Sequence, residues 1–249
     1  MQLVYPGEWM LNDDFEYRIS RIGLPEDGVH PTAEQLAFAR GHLPSSFVDF
    51  LEQFGFGNYF DRGVQFVDPQ RFRAVLALIF KADPDFNHND CHVISYSAFG
   101  KLKVWSERHW LVTIDLLQYQ IWCHKLFATE FKAPSLPSMA IRQITADSTA
   151  HSLLPREKDD RECWDFHQKP MFSQCIKQHG PLQEGECFGF VPSLGLLGFE
   201  SPLRVVENVK RFQALEHSAM TAQMKPFFLT RMSSQGYEYK REIGAPQTE

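Results

Sequence analysis

Residues 90–122 read DCHVISYSAFGKLKVWSERHWLVTIDLLQYQIW. Val93, Ser95 and Ser97 alternate there with His92, Ile94 and Tyr96. A period of two places successive side chains on opposite faces of an extended strand. Residues 102–105 and 110–114 continue the pattern, with Gly100 and Lys101 as a turn, and Ile121-Trp122 supplies one further strand. Strands joined by connections this short run antiparallel, so the stretch predicts a meander.

Helical patterns flank it. Upstream, Pro44-Ser45-Ser46 opens a helix, with Ser45 or Ser46 as its cap, in which Phe47, Phe50, Leu51 and Phe54 form one apolar stripe and Gly55 is the stop. Thr32 caps a shorter helix to about Gly41. A short strand at 64–67 precedes Asp68-Pro69, which starts a helix to Phe80 with Phe72, Val75, Leu76 and Ile79 on its buried face. Residues 13–17 alternate acidic and aromatic side chains, and Pro25-Glu26-Asp27-Gly28 reads as a turn.

Downstream, prolines and serines around residues 132–137 mark a connection between halves. A helical stretch follows at 139–150. Asp159 or Asp160 caps another through Cys163, Trp164 and Phe166; Pro170 interrupts it, and it resumes from Met171 to His179. Strands are expected at 187–191 and 203–206 and a last helix at 210–223. The polar tail after Gly236 reads as a loose end. The fold class is therefore α+β, a two-part chain with antiparallel sheet packed against helices, divided as 1–130 and 131–249.

With 249 residues, 43% of them hydrophobic, the chain is long enough to bury a real core. Its net charge is −6 and it has no Lys/Arg run, which argues against direct nucleic-acid binding and suits a basic partner. Met1-Gln2-Leu3 opens without a basic stretch ahead of an apolar one, and the longest apolar run, around residues 75–80, is too short for a bilayer. A cytoplasmic location without a membrane partner is expected. The five cysteines, Cys91, Cys123, Cys163, Cys175 and Cys187, are odd in number and contain no CxxC pair, so neither a disulfide framework nor a zinc site is expected.

No HExxH, GxSxG or P-loop occurs, and Gly55-Phe56-Gly57 lacks the third glycine of a dinucleotide fingerprint. His88 and His92 are four apart, and Asp83-Pro84-Asp85 resembles half of a cation loop without EF-hand spacing. A solvated loop and turn-forming aspartates explain both more simply. Cys91 with a distant histidine could form a nucleophile, but a buried cysteine acting as a small hydrophobe is commoner. No catalytic, cofactor-binding or metal residue is assigned. Trp105, Trp110 and Trp122 fill the core or form an aromatic surface. Two acidic clusters remain, Asp13, Asp14 and Glu16, and Glu157, Asp159, Asp160 and Glu162. They read as a solvated face with a helix cap or as a docking surface for a cationic groove, and they are the candidate partner-binding residues.

Leu43-Pro44, Phe50-Leu51, Gly55-Phe56-Gly57, Asp68-Pro69 and Ser97-Ala98-Phe99-Gly100 resemble the bacterial GAD-like domain. Gly189-Phe190-Val191-Pro192-Ser193-Leu194, with Glu207-Asn208-Val209 and Leu215-Glu216-His217, resembles the small domain that follows it in immunity proteins encoded beside type VI secretion DNase effectors. The resemblance spans about residues 29–223. It implies stoichiometric inhibition of a cognate DNase toxin, and it carries over no catalytic residue. The alternatives are an adaptor module of the same fold without a toxin partner, and a hydrolase whose site assembles only in space.

Overall fold

The computed structural model describes residues 11–130, 144–233 and 236–244. Helix α1 (Asp13–Ile22) is capped by Asn12, whose side chain accepts from the amides of Asp14 and Phe15 at 3.1 Å each. Asp13, Asp14 and Glu16 fill its first turn, where the helix dipole favours negative charge. The acidic and aromatic alternation masks this helix in the sequence; its buried stripe is Phe15 and Ile19, one turn apart. Strand β1 (Glu26–Val29) and helix α2 (Ala33–His42) follow, the latter closed by a reciprocal Thr32–Gln35 capping box.

Helix α3 (Ser45–Phe54) buries Phe47, Val48, Phe50 and Leu51 as its spacing requires. Its cap is not the expected serine. Pro44 occupies the N-cap, and Asp147 supplies the acceptor instead, 3.0 Å from the Ser46 amide. Gly55 ends the helix at φ 72°, and a Cβ there would stand 2.5 Å from the Val29 carbonyl oxygen. Strands β2 (Phe56–Tyr59) and β3 (Val64–Phe66) lead to helix α4 (Arg73–Phe80), which starts later than Asp68-Pro69 suggests. The meander is then β4 (Cys91–Ser97), β5 (Lys101–Ser106), β6 (Trp110–Asp115) and β7 (Gln120–Cys123), antiparallel throughout as expected.

The second part opens with α5 (Ala146–Ala150); the rest of the helix expected from residue 139 lies outside the described residues. The helix expected from Asp159 or Asp160 is a single 3-10 turn, Lys158–Arg161. Helix α6 (Phe172–His179) follows, then β8 (Glu186–Phe190), α7 (Leu194–Leu197), β9 (Val209–Gln213) and α8 (Ala214–Ala222). The strand expected at 203–206 is absent: Arg204 is buried there, donating to the carbonyls of Phe199 and Asp165. Residues 210–213, expected to begin the last helix, pair instead with β8.

Over its described residues, to 244, the tail is not loose. Strands β10 (Phe228–Ser233) and β11 (Gly236–Glu242) complete a nine-stranded sheet in the order β1-β2-β3-β4-β5-β6-β7-β10-β11. Strand β10 runs parallel to β7, because the chain reaches it from the second part rather than by a hairpin. Asp83 and Asp85 grip Arg241 of β11, with contacts of 2.5 and 2.9 Å to Asp83 and 2.6 Å to Asp85. The pair of aspartates that resembles a cation loop thus holds a guanidinium.

One face of the large sheet is dry. Val93, Leu102, Val104, Ile114 and Ile121 pack beneath α4 and α8. On the opposite face, Ile94 and Trp105 meet α1, α3 and residues 150–154 through Phe15, Phe47, Phe50 and Leu153. A third cluster joins Ala98 and Phe99 of the β4–β5 turn to Phe172, Phe188 and Val209 of the second part. The Phe188 amide donates to the Ala98 carbonyl at 2.7 Å, so the turn is also the joint between the two parts.

Candidate partner-binding groove

The helices on the second sheet face stop short of its other end. Lys101 and Lys103 of β5, Thr113 of β6, Trp122 of β7, Thr230 of β10 and Tyr237 of β11 line an open cavity of about 560 Å³. Lys103, Thr113, Trp122 and Thr230 stand opposite one another in register, a single row across four strands. Arg18 of α1 and Ser152, Arg156 and Asp160 of the second part form the wall. A floor built on paired strands holds its side chains more tightly than a loop would.

The charge in this groove is one-sided. Arg18, Lys101, Lys103, Arg156 and Arg231 line it, against the single carboxylate of Asp160. Lys103 Nζ donates to the carbonyls of Ser152 at 3.0 Å and Leu154 at 2.9 Å and lies 3.9 Å from Asp160. Burial pushes this ammonium down to about 8, with Asp160 opposing the shift. Burial, with Arg156 nearby, also lowers Arg18, and Arg18 reaches the Pro155 carbonyl at 3.4 Å. Arg231 pairs with Glu238 at 2.7 Å. Trp122 Nε1 is buried without a hydrogen-bond acceptor among the described residues.

The acidic candidates divide. Asp13, Glu16, Glu157 and Asp159 are exposed, and Asp14 is half-buried. Glu162 is structural, since its Oε1 accepts from the amides of Cys163, Met171 and Phe172 at 3.2, 2.7 and 2.7 Å and so caps α6. Asp160 accepts from the Arg156 amide at 2.6 Å and lies inside the groove. The two clusters, far apart in sequence, belong to segments that meet where Arg18 touches Pro155. Sequence pattern marks the acids and misses the cations between them. The only local signal is Lys101, Lys103 and Thr113 on the polar side of the meander, which reads as ordinary solvent face.

Other reactive groups fall elsewhere. His92 joins not His88 but His42 and Glu107: His42 Nδ1 and His92 Nε2 lie 2.7 and 2.9 Å from the same Glu107 oxygen. Among the described residues this is the one group of His, Cys, Asp or Glu with ligand atoms all within 4.8 Å of each other. Phe38 packs on both rings, at 4.4 and 5.4 Å. Burial lowers His92 despite Glu107; burial alone would raise Glu107, but its histidine hydrogen bonds outweigh that and hold it low. All five cysteines are buried free thiols, and burial pushes Cys91 up to about 12. Trp105 is core, whereas Trp122 belongs to the groove. No helix among the described residues is long and apolar enough to cross a membrane.

Residues 13–118 match the family model of the GAD-like domain, and residues 147–225 match that of the T6SS immunity protein Tdi1, C-terminal. The fold is similar to the crystal structure of Atu4351 from Agrobacterium tumefaciens, at 25% sequence identity and a TM-score of 0.78 over 94% of this chain and 100% of that one. No curated protein matches the chain. The first matched span supplies Arg18, Lys101, Lys103 and Thr113 to the groove, the second Ser152, Arg156 and Asp160.

Proposed function

From a chain that joins a GAD-like domain to the C-terminal domain of the type VI secretion immunity protein Tdi1, we propose an immunity protein that neutralises a DNase toxin by stoichiometric binding. The observation that carries this reading is the immunity-domain match over residues 147–225. It acts by occupying its target rather than by chemistry of its own, in the cytoplasm, where a DNase toxin would reach DNA.

The physical demands are ordinary. Nanomolar affinity corresponds to about 12 kcal/mol, and a stable interface of standard size buries roughly 800 Å² on each partner. Nucleases carry basic surface to hold phosphates, and exposed acids steer a binder towards such surface. Asp13, Asp14, Glu16, Glu157 and Asp159 serve that role in this reading. Asp160 and Glu162 contribute by fixing the backbone at Arg156 and the start of α6. The functional parts are residues 1–130 and 131–249, a division supported by the two matched spans.

The test is a DNase assay with whichever type VI secretion DNase effector is found encoded next to this protein. Titration to one equivalent should abolish cleavage, and co-expression should restore growth. Full nuclease activity in an equimolar mixture would defeat the proposal.

A further inference from the structure

We propose that the groove over β5, β6, β7 and β10 is the seat for an acidic segment of the toxin, the carboxylates with which a nuclease holds its catalytic divalent metal. This rests on the DNase reading and adds the chemistry of the contact. A protein of net charge −6 collects Arg18, Lys101, Lys103, Arg156 and Arg231 in one concavity, with Asp160 the one carboxylate in the lining and Asp115 and Glu238 pairing Lys101 and Arg231 from outside it. That concentration is the reverse of what its composition would scatter there.

Three features of the groove ask for an anion. Lys103 is held on the floor by two carbonyl oxygens and a carboxylate 3.9 Å away, a polar but thinly neutralised setting for a buried ammonium. Trp122 Nε1, opposite Thr113 in the same row, has no acceptor among the described residues. Arg18 and Arg156 face the same space from different segments; Asp160 offsets part of their mutual repulsion, and a further negative charge would offset more.

The layout around the groove also fits. Nuclease centres hold divalent metals on carboxylates, within a surface made basic to bind phosphates. In the metal-free toxin, acids thus sit at the centre of such a site and bases around it, so the groove competes with the metal for the same carboxylates. Here the cations occupy the cavity, while half-buried Asp14 lies one turn before Arg18 on the same face of α1, and exposed Glu157 and Asp159 adjoin Arg156 and Asp160 in the chain. The two patterns are charge inverses. Those neighbouring acids also count against a polyphosphate as the occupant, since they would repel a nucleic-acid backbone running over the groove.

The decisive experiment measures toxin affinity for the intact protein and for Arg18→Glu/Arg156→Glu. The double reversal should weaken binding roughly 100-fold or more. Lys177→Glu/Lys210→Glu, the same charge change outside the groove lining, should stay within about threefold. Should the first variant fail to fold, Lys101→Glu carries the same test, since that side chain is 43% exposed. Replacing the toxin's metal-binding carboxylates with amides should cost comparable affinity and leave the reversal with little further effect. Unchanged affinity in the groove variants overturns this proposal and leaves the immunity reading standing. No complex and no protection with the intact protein sinks the immunity reading and this proposal together. Binding of a DNA duplex that the reversal abolishes, with toxin affinity unaltered, would also overturn it.

Discussion

The two faces of the nine-stranded sheet share their strands but meet different surroundings. On one, Leu102, Val104, Val112, Ile114 and Ile121 are fully buried under α4 and α8. On the other, one residue along in each strand, Lys101, Lys103, Thr113 and Trp122 line a charged cavity. Strand alternation supplies both sets at once. What separates them is coverage: two helices pack across the first face, while α1, α3 and residues 150–154 cover only part of the second. The dry face stabilises the molecule, and the half-covered face is left open as the groove proposed above to seat the toxin.

The largest expected effect undoes both faces together. Asp83→Ala strands Arg241 without its main partner and loosens β11, which carries Tyr237 of the groove wall. The Asp83 side chain is fully buried, so urea denaturation should show a loss of about 3–5 kcal/mol. A smaller effect than about 1 kcal/mol would mean that the C-terminal hairpin contributes little to the sheet.

Next comes a pair of neighbours. Leu102→Ala, on the dry face, should destabilise by roughly 2–5 kcal/mol while the folded fraction still binds the toxin normally. Lys101→Ala, on the open face, should cost under about 1 kcal/mol, because its 3.9 Å contact with Asp115 is partly exposed, yet weaken toxin binding. If both lose stability equally, the division of labour between the faces is wrong.

The finest test is acid sensitivity beneath the dry face. His217 of α8 is buried, stacks 4.6 Å from Phe212, and burial pushes it down to about 4. Its neutral form is favoured on folding, so its contribution is fully present above the unfolded value of about 6.5 and is lost as pH falls from there towards 4. Up to about 3 kcal/mol should disappear across that window, and His217→Gln should flatten the slope. An unchanged slope in the variant would place the acid sensitivity elsewhere, with the His92–Glu107 contact the next group to test.

Local patterns are readable because they report on local geometry. The meander at 91–123, the Phe47–Phe50–Leu51 stripe and the Thr32 cap each follow from spacing within one segment. Gly189 of the second motif differs from these, since its reason lies in the tertiary structure: an added Cβ would overlap the His217 imidazole. The failures share a cause. Strand Val209–Gln213 resembles the start of a helix in isolation, because only its pairing with β8 marks it as extended. The cap of α3 comes from Asp147, about a hundred residues on, and Glu162, a docking acid by composition, caps α6.

By itself, then, the amino-acid order determined the α+β class, the alternating strands and the apolar stripes, since these depend on periodicities of two and 3.6 residues. Only the tertiary structure decided where the charges would act. Arg18, Lys103, Arg156 and Arg231 are strangers in sequence, brought to one cavity by a parallel return of the chain and by incomplete helical cover. Electrostatic fields depend on distance through space, and no one-dimensional pattern encodes that distance.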